Sequence, residues 1–253
     1  EELTASMDMI VAAGGGERDA TVDTHILEAS RTRNHRDVML NEKLTTELRP
    51  TLFLAQLSNL LAGNISIVHK VTGSSRTFMG EESAGISALQ TALARIRSGQ
   101  STHILVGGAL NAEHKDICLS YELGGFLKRD GYAPVWSREN SEGGGVITGS
   151  GSAFLVLESR DHAEKRGARA YARLAAVSGN QASRKGDLEA SISSVLAEAG
   201  SGDMIVTGAS GAKAATAAEK AALGTSGATA RGFASMTGHM KEAQFPFSVA
   251  LAA

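Results

Sequence analysis

The chain has 253 residues, of which 42% are hydrophobic and 21% charged, and its formal net charge is −2, a composition typical of a soluble globular protein with a full core. It shows no basic excess of the kind that nucleic-acid binding needs, no apolar run near the ~20 residues that span a bilayer, and no signal-peptide pattern. A single cysteine, Cys118, excludes an intrachain disulfide and favours a reducing, cytoplasmic compartment.

The predicted elements alternate between strands and helices, which favours βαβ units and a parallel or mixed sheet. The first elements are a buried strand and glycine turn at 8–15, a weakly patterned polar stretch to about 48, a buried helix from 53 and a strand at 75–79. A helix at 82–98 follows, then strands at 102–110 and 152–159, a short helix ended by Gly167 and a long strand at 168–179. The last elements are a helix at 188–200, a strand and turn at 203–211, a helix at 215–224 and a helix from about 240. The helix at 82–98 has helical periodicity, with Ile86, Leu89, Leu93 and Ile96 on one stripe.

Two stretches echo one another, DMIVAAGGG at 8–16 and DMIVTGASG at 203–211. Each is typical of an apolar strand that ends in a glycine-rich turn, so the echo hints at a duplicated half. The sequence begins at Glu1 rather than at a methionine and stops at Ala253 within a pattern, and we therefore expect it to be part of a longer chain.

The stretch RTFMGEESAGISALQTALARIRSG at 76–99 predicts a short strand, a tight small-residue turn and an amphipathic helix. Acyl-transfer enzymes place a nucleophile at such an elbow, but here the elbow carries Glu81 and Glu82. Two interpretations stay open at this point. The acids either stabilise the first turn of the helix through its dipole, by about 0.3–1 kcal/mol, or one of them faces a pocket and has a functional role.

Cofactor motifs are missing from the sequence. Glycine clusters such as GGGERD suggest phosphate binding, but neither GxGxxG nor GxxxxGK[ST] is present. CxxC and HExxH are also missing, and the seven histidines are scattered. We therefore expect no nucleotide, no metal and no other cofactor.

Several longer stretches resemble the β-ketoacyl-acyl-carrier-protein synthases of the thiolase-like superfamily. They are NLLAGNISIVHKVTGSSRTFMGEESAGISALQTALARIRSGQSTHILVGGA, PVWSRENSEGGGVITGSGSAFLVLESRDHAEKRGARAYARL and SMTGHMKEA. The resemblance implies an α/β fold, the thiolase-like five-layered αβαβα arrangement of two similar halves, with the chain incomplete at both ends. Residues 1–160 would form the first half without its initial segment, and 161–253 the start of the second.

The same resemblance assigns site positions. In this family a cysteine at a helix N-terminus takes the acyl chain as a thioester, and two histidines, a lysine and a buried acid complete the site. The alignment puts Glu82 at the cysteine, Gly208 at the first histidine and Ala234 at the lysine, and it leaves His239 as the second histidine and Glu219 as the buried acid. Because three of five residues are lost, we predict that the chain cannot catalyse ordinary condensation by itself.

Three functions are compatible with this pattern. The first is a degenerate subunit of fatty-acid or polyketide elongation that resembles the chain-length factors, with acyl carrier protein and an intact ketosynthase as partners. The second is a malonyl-carrier-protein decarboxylase or an acyltransferase with altered chemistry that uses Glu82 and His239 as an acid/base pair. The third is a homodimeric, non-catalytic scaffold that binds acyl carrier protein. None of them involves nucleic acid or insertion into a membrane.

Overall fold

The computed structural model describes residues 2–16, 18–180, 186–200 and 202–253. Within these ranges the strands are β1 (Asp8–Ala12), β2 (Ser75–Phe78), β3 (His103–Leu110), β4 (Gly151–Glu158), β5 (Met204–Thr207) and β6 (Thr229–Gly232). The first four form one sheet in the order β2-β1-β3-β4, in which β1 is parallel to β2 and β3 while β4 is antiparallel to β3. The other two form a separate parallel pair.

Helices connect and cover these strands. They are α1 (Glu2–Ala5), α2 (Ala20–Thr32), α3 (Arg36–Thr46), α4 (Pro50–Ala55), α5 (Leu60–His69), α6 (Glu82–Arg97), α7 (Lys115–Leu123), α8 (Arg160–Lys165), α9 (Leu188–Ala199), α10 (Lys213–Gly224), α11 (Ala234–Thr237) and α12 (Gln244–Ala252). Short 3₁₀ turns lie at Val135–Ser137 and Lys241–Ala243. The mixed α/β fold that the sequence predicts is confirmed.

The main core lies between α6 and the four-stranded sheet. Ile10, Ile104 and Val106 of the sheet are fully buried against Leu89 of α6. The helix face that meets them consists mostly of alanines, at positions 84, 88 and 92, so the predicted stripe of larger side chains shares only Leu89 with the fully buried face. Small side chains let the helix axis approach the sheet closely, and burial of each large apolar side chain contributes about 1.5–3 kcal/mol.

The predicted long strand at 168–179 is wrong, since the structure has neither helix nor strand there. The carbonyl oxygen of Ala175 accepts a hydrogen bond from Arg97, and that of Val177 accepts one from Gln90 at 3.4 Å. Side chains of α6 thus satisfy carbonyls of this segment in place of a neighbouring strand. The alternating sequence pattern reflects Leu174 and Val177, which pack against the main core.

The predicted single buried helix from residue 53 is also wrong. The region divides into α4 and α5, and α5 has one fully buried residue, Ala62. Ile67 and Val68 at its end are each 68% exposed. A continuous apolar run predicts burial on all sides, whereas only one face of this helix meets the core.

The weakly patterned stretch before residue 48 contains α2 and α3. Each buries a single residue, Val22 in α2 and Met39 in α3, which accounts for the weak periodicity of the sequence. The carboxylate of Asp19 caps α2 by accepting a hydrogen bond from the backbone of Val22 at 3.2 Å. The sequence patterns also failed to predict α7 and β6.

The two echoing segments have different surroundings. The first contains β1, in the middle of the four-stranded sheet, and the second contains β5, which pairs with β6. Within the described residues, no helix combines the length and the apolarity that a membrane-spanning segment requires.

Candidate functional site

The turn between β2 and α6 has a strained backbone. Gly80 has φ +130°, and Glu81 has φ 55° and ψ −132°, a conformation that a residue with a side chain rarely adopts. Such a residue costs about 1–3 kcal/mol and tends to occur at functional sites. The turn delivers the chain into α6 so that Glu82 is the first helical residue.

Glu82 forms a close pair with His239, which lies 157 residues further along the chain. Nε2 of His239 donates to Oε1 of Glu82 at 2.5 Å. The imidazole side chain is 1% exposed and the carboxylate side chain 48% exposed. Nδ1 of His239 is buried and has no hydrogen-bond partner among the described residues.

The charge state of Glu82 follows from this pair. Burial raises its pKa, but the hydrogen bond and the charge of His239 outweigh burial, so the pKa lies below its ordinary value of 4.5. The carboxylate is therefore ionised at neutral pH and can only accept hydrogen bonds, which requires the proton to be on Nε2. Nε2 of His239 is thus engaged in a hydrogen bond with the protein's own Glu82.

A backbone clamp holds His239 in place. Its N–H donates to the carbonyl of Ile147 at 2.7 Å, and its own carbonyl accepts from Gly149 at 2.9 Å. Position 149 requires glycine, because the chain passes close to Thr237 and a Cβ on Gly149 would lie 1.8 Å from the carbonyl oxygen of Thr237. The ring of Tyr121 meets the imidazole edge-on at 6.4 Å between centroids. The histidine is therefore fixed by residues that are distant in sequence.

A second ion pair lies beside the first. Nζ of Lys241 is 3.3 Å from Oε1 of Glu81 and 5.9 Å from the ring centre of Tyr121. Lys241 has φ 42°, so two of the three non-glycine residues with positive φ in the described part of the chain flank the Glu82–His239 pair. Burial raises the pKa of Tyr121 above its usual 10, and the charges of Glu82, Glu81 and Glu242 add to the rise. Its phenol is therefore neutral.

Gly208 follows β5, at the position that the alignment gives to the first histidine. A Cβ built on Gly208 meets nothing within 4 Å, so space for a side chain is open there. Gln244 joins this position to the segment of His239, since its Nε2 donates to the carbonyl of Gly208 at 3.4 Å and its Oε1 accepts from the N–H of Met240 at 2.9 Å.

Glu219 of α10 is partly buried beside Gly208. Burial raises its pKa to about 7, against the lowering effect of hydrogen bonds from the backbone of Gly208 and the hydroxyl of Thr207. The acid is thus half protonated near neutral pH, and its hydrogen-bond donors are neutral groups. The structure therefore brings Glu219 to Gly208, and Glu82 to His239.

Ala234 is the first residue of α11 and is 1% exposed. Its carbonyl accepts a hydrogen bond at 3.4 Å from Arg138, a residue that the sequence patterns did not single out. Arg138 is also 1% exposed and donates to the carbonyls of Ala133 at 2.8 Å and Gly145 at 3.3 Å. Burial lowers the pKa of its guanidinium. No periodic pattern in the loop signals this burial.

Known proteins share the sequence and the fold of this chain. Residues 3–163 match the family model described as "Beta-ketoacyl synthase, N-terminal domain". The chain is 28% identical over 141 residues to the 3-oxoacyl-[acyl-carrier-protein] synthase 2 of Rhizobium meliloti (strain 1021), which covers 53% of this chain and 32% of that protein. It is 26% identical over 176 residues to the synthase 2 of Vibrio harveyi, covering 69% of this chain and 40% of that protein.

Among solved structures, one with the same fold is "The ishigamide ketosynthase/chain length factor". It has a TM-score of 0.69 and 23% identity, and the match covers 97% of this chain and 61% of that chain. Another is "AntDE:AntF (apo): type II PKS acyl-carrier protein in complex with its ketosynthase bound to the hexaketide", with a TM-score of 0.72, 17% identity, and coverage of 98% and 66%.

The chain spans 32% and 40% of the lengths of the two curated relatives named above. The family model nevertheless covers more than half of this chain, and it includes both the elbow and the strand β4 that follows the clamp. This chain belongs to the β-ketoacyl synthase family, whose N-terminal domain it carries at residues 3–163.

Proposed function

We propose that this chain is a non-condensing ketosynthase-like subunit of fatty-acid or polyketide elongation, which works with an intact ketosynthase and an acyl carrier protein. The observation that carries the proposal is the Glu82–His239 pair at 2.5 Å. Glu82 stands where the alignment expects a nucleophilic cysteine, and its carboxylate also occupies the nitrogen of the remaining histidine. A glutamate at position 82 thus both replaces the nucleophile and engages Nε2 of His239 in a hydrogen bond.

The chemistry of a carboxylate supports this role. Attack by Glu82 on an acyl thioester would form a mixed anhydride, which hydrolyses readily, whereas a cysteine forms a thioester that can wait for the second substrate. Gly208 has no imidazole and Ala234 no ammonium to stabilise the negative charge that develops after loss of carbon dioxide from a malonyl group. Acyl transfer therefore lacks its nucleophile, and loss of carbon dioxide from the malonyl group lacks the imidazole and the ammonium that would stabilise the negative charge.

The proposal includes a partner that supplies the cysteine. Two structural neighbours support it, since one is described as a ketosynthase/chain length factor and the other as an acyl-carrier protein in complex with its ketosynthase.

The proposal also includes the domain arrangement, with residues 1–160 as one thiolase-like half and 161–253 as the start of a second. The echo between the segments of β1 and β5 supports this division.

Reconstitution tests the proposal. The purified protein is assayed with acyl- and malonyl-carrier protein, alone and after mixing with an intact ketosynthase, and its mass is followed by sedimentation. We expect a heterodimer and a condensation product only in the mixture, and no product when the partner's cysteine is replaced by alanine. Condensation by this protein alone, or a partner whose activity and mass do not change on mixing, would contradict the proposal. A homodimer that binds carrier protein without either effect would favour the scaffold function.

A second candidate is an enzyme with altered chemistry, such as a malonyl-carrier-protein decarboxylase. The favouring observation is that Glu82 remains 48% exposed while it is hydrogen-bonded to a buried imidazole, as in an acid/base pair. In that reaction the bond between malonyl C2 and its carboxyl group breaks, carbon dioxide leaves, and the electron pair on C2 takes the proton of Nε2. Release of carbon dioxide by the purified protein, lost in His239→Ala, would support it. An absence of release with and without a partner would exclude it.

A further inference from the structure

A second carboxylate, that of Glu242, is buried, and one of its oxygens has no partner among the described residues. The residue is 2% exposed, and Oε2 has no hydrogen-bond partner among the described residues. It borders a cavity of about 330 Å³. An ionised carboxylate that leaves water without a compensating partner loses several kcal/mol of solvation free energy. A group of this kind is therefore a candidate for contact with a bound ligand.

Three glycines hold Glu242 in this position. A Cβ on Gly85 or Gly108 would lie 2.8 or 3.0 Å from the backbone oxygen of Glu242, so both α6 and β3 must lack a side chain at this point. A Cβ on Gly14 would lie 3.0 Å from Oε1, so the loop after β1 leaves room for the carboxylate itself. The backbone of Glu242 is thus held between α6 and β3, and its buried carboxylate lies against the loop after β1.

The cations that border the cavity are engaged elsewhere. Lys241 pairs with Glu81, and Arg18 pairs with Asp23 at 2.8 Å. In the described part of the chain no ion pair joins either cation to Glu242.

Asp116 of α7 also borders the cavity, and its carboxylate has no ion pair among the described residues either. The charge that remains uncompensated around the cavity is therefore negative, with Glu242 buried at its wall and Asp116 on the neighbouring helix.

We propose that this cavity binds a primary ammonium group of a small organic ligand, which donates hydrogen bonds to Glu242, with Asp116 attracting a second positive charge. The volume of about 330 Å³ suits a short aliphatic amine. A bare metal ion fits less well, because the described residues contain no cluster of three or more His, Cys, Asp or Glu side chains that could hold one. The site does not depend on the Glu82–His239 pair, so it stands or falls separately from the proposed function.

The ammonium group has two possible sources, a free amine or the amino end of an acyl chain on a carrier protein. Calorimetric titration of the purified protein with 1,4-diaminobutane tests the first, with 1,4-butanediol as the uncharged control. Comparison of 4-aminobutyryl- with butyryl-carrier protein tests the second. We expect binding with a Kd of about 1 mM or tighter in at least one arm, and binding at least tenfold weaker for the uncharged counterpart.

Variants locate the binding. Glu242→Gln keeps the shape of the side chain and is expected to weaken binding at least tenfold, and Asp116→Asn about threefold. The matched control Glu113→Gln, at an exposed acid just before α7, is expected to bind like the unmodified protein. Absence of binding in both arms, equal binding of the uncharged counterpart, or unchanged affinity in Glu242→Gln would overturn the proposal. If Glu242→Gln fails to fold, the affinity of Asp116→Asn tests the proposal instead, and an unchanged affinity of Asp116→Asn would overturn the proposal.

Discussion

Glu82 at the elbow and Glu219 beside Gly208 are both partly buried carboxylates, and their pKa values move in opposite directions. At the elbow, the hydrogen bond and charge of His239 lower the pKa of Glu82 in spite of burial. Beyond β5, burial raises the pKa of Glu219 to about 7, because its partners are a backbone N–H and a hydroxyl. The partners decide the direction, because Glu82 has an imidazole and a nearby lysine whereas the hydrogen-bond donors of Glu219 are neutral groups.

This difference distinguishes the elbow from the segment that follows β5. The elbow keeps its strained backbone and now carries an ionised group whose partner is buried. The segment after β5 has the acid Glu219 beside Gly208, around which space is open.

The largest expected effect comes from Arg138, whose side chain joins the loop at 133–145 to α11. Arg138→Met removes a buried guanidinium that donates to three carbonyls, of Ala133, Gly145 and Ala234. Because the carbonyls lose their donors in a buried place, we expect a loss of about 3–5 kcal/mol in the free energy of unfolding, measured with urea. The control Arg129→Met removes an exposed guanidinium bound to Glu122 and should change it by less than ~1 kcal/mol. Equal effects of the two would show that Arg138 is not a structural clamp.

Glu219→Gln is expected to have the next largest effect, and its sign depends on pH. The carboxyl of Glu219 titrates near 4.5 in the unfolded chain and near 7 in the folded one, so between these values the folded protein binds more protons. The free energy of unfolding therefore falls as the pH rises through this window, by about 3 kcal/mol.

The glutamine variant removes this fall and should be more stable than the unmodified protein at pH 8, with the two alike at pH 4. Thermal unfolding over this range measures the difference. A variant that is less stable at pH 8 would show that the acid is stabilised as a carboxylate.

Glu82→Gln is expected to behave in the opposite way and with a smaller amplitude. The folded pKa is lowered, so the stabilisation by Glu82 is present above pH ~4.5 and is lost as the pH falls through the folded pKa. Since the side chain is 48% exposed, the loss at pH 7 should be about 1 kcal/mol, the size of one hydrogen bond to a buried partner. Unfolding at pH 7 and pH 3 should show a larger difference at pH 7 than at pH 3. A difference at pH 3 of the same size would contradict the ionic pair.

The smallest effect is expected for Gly208→Ala. The added Cβ meets no atom within 4 Å and the backbone does not have a positive φ, so the substitution mainly restricts the unfolded chain. We expect stabilisation by about 0.5 kcal/mol in urea unfolding. The contrasting control is Gly211→Ala, where φ is +93° and the Cβ would lie 2.3 Å from the carbonyl oxygen of Gly145, and it should destabilise. Destabilisation by both would mean that the space at Gly208 is not open.

The sequence predicts most of the first sheet, because strands β1, β3 and β4 are apolar runs bounded by turns and α6 has helical periodicity. The strand predicted at 168–179 is wrong since alternation shows which side chains are buried but not whether a strand lies alongside. The resemblance brought Glu82 and His239 into one site, and the hydrogen bond between them became visible only in the structure. Arg138 and Glu242 had no signal, because their burial depends on the close approach of glycines distant in sequence.

The central claim is that the elbow is retained but can no longer hold an acyl group. Mass spectrometry of the intact protein after incubation with acyl-carrier protein tests it most directly. We expect no acyl adduct on the unmodified protein, and an adduct on the variant Glu82→Cys, whose thiol lies at the start of α6. That variant should still not condense, because Gly208 and Ala234 remain. A stable adduct at Glu82 in the unmodified protein would contradict the claim, and so would a Glu82→Cys variant that takes up no acyl group.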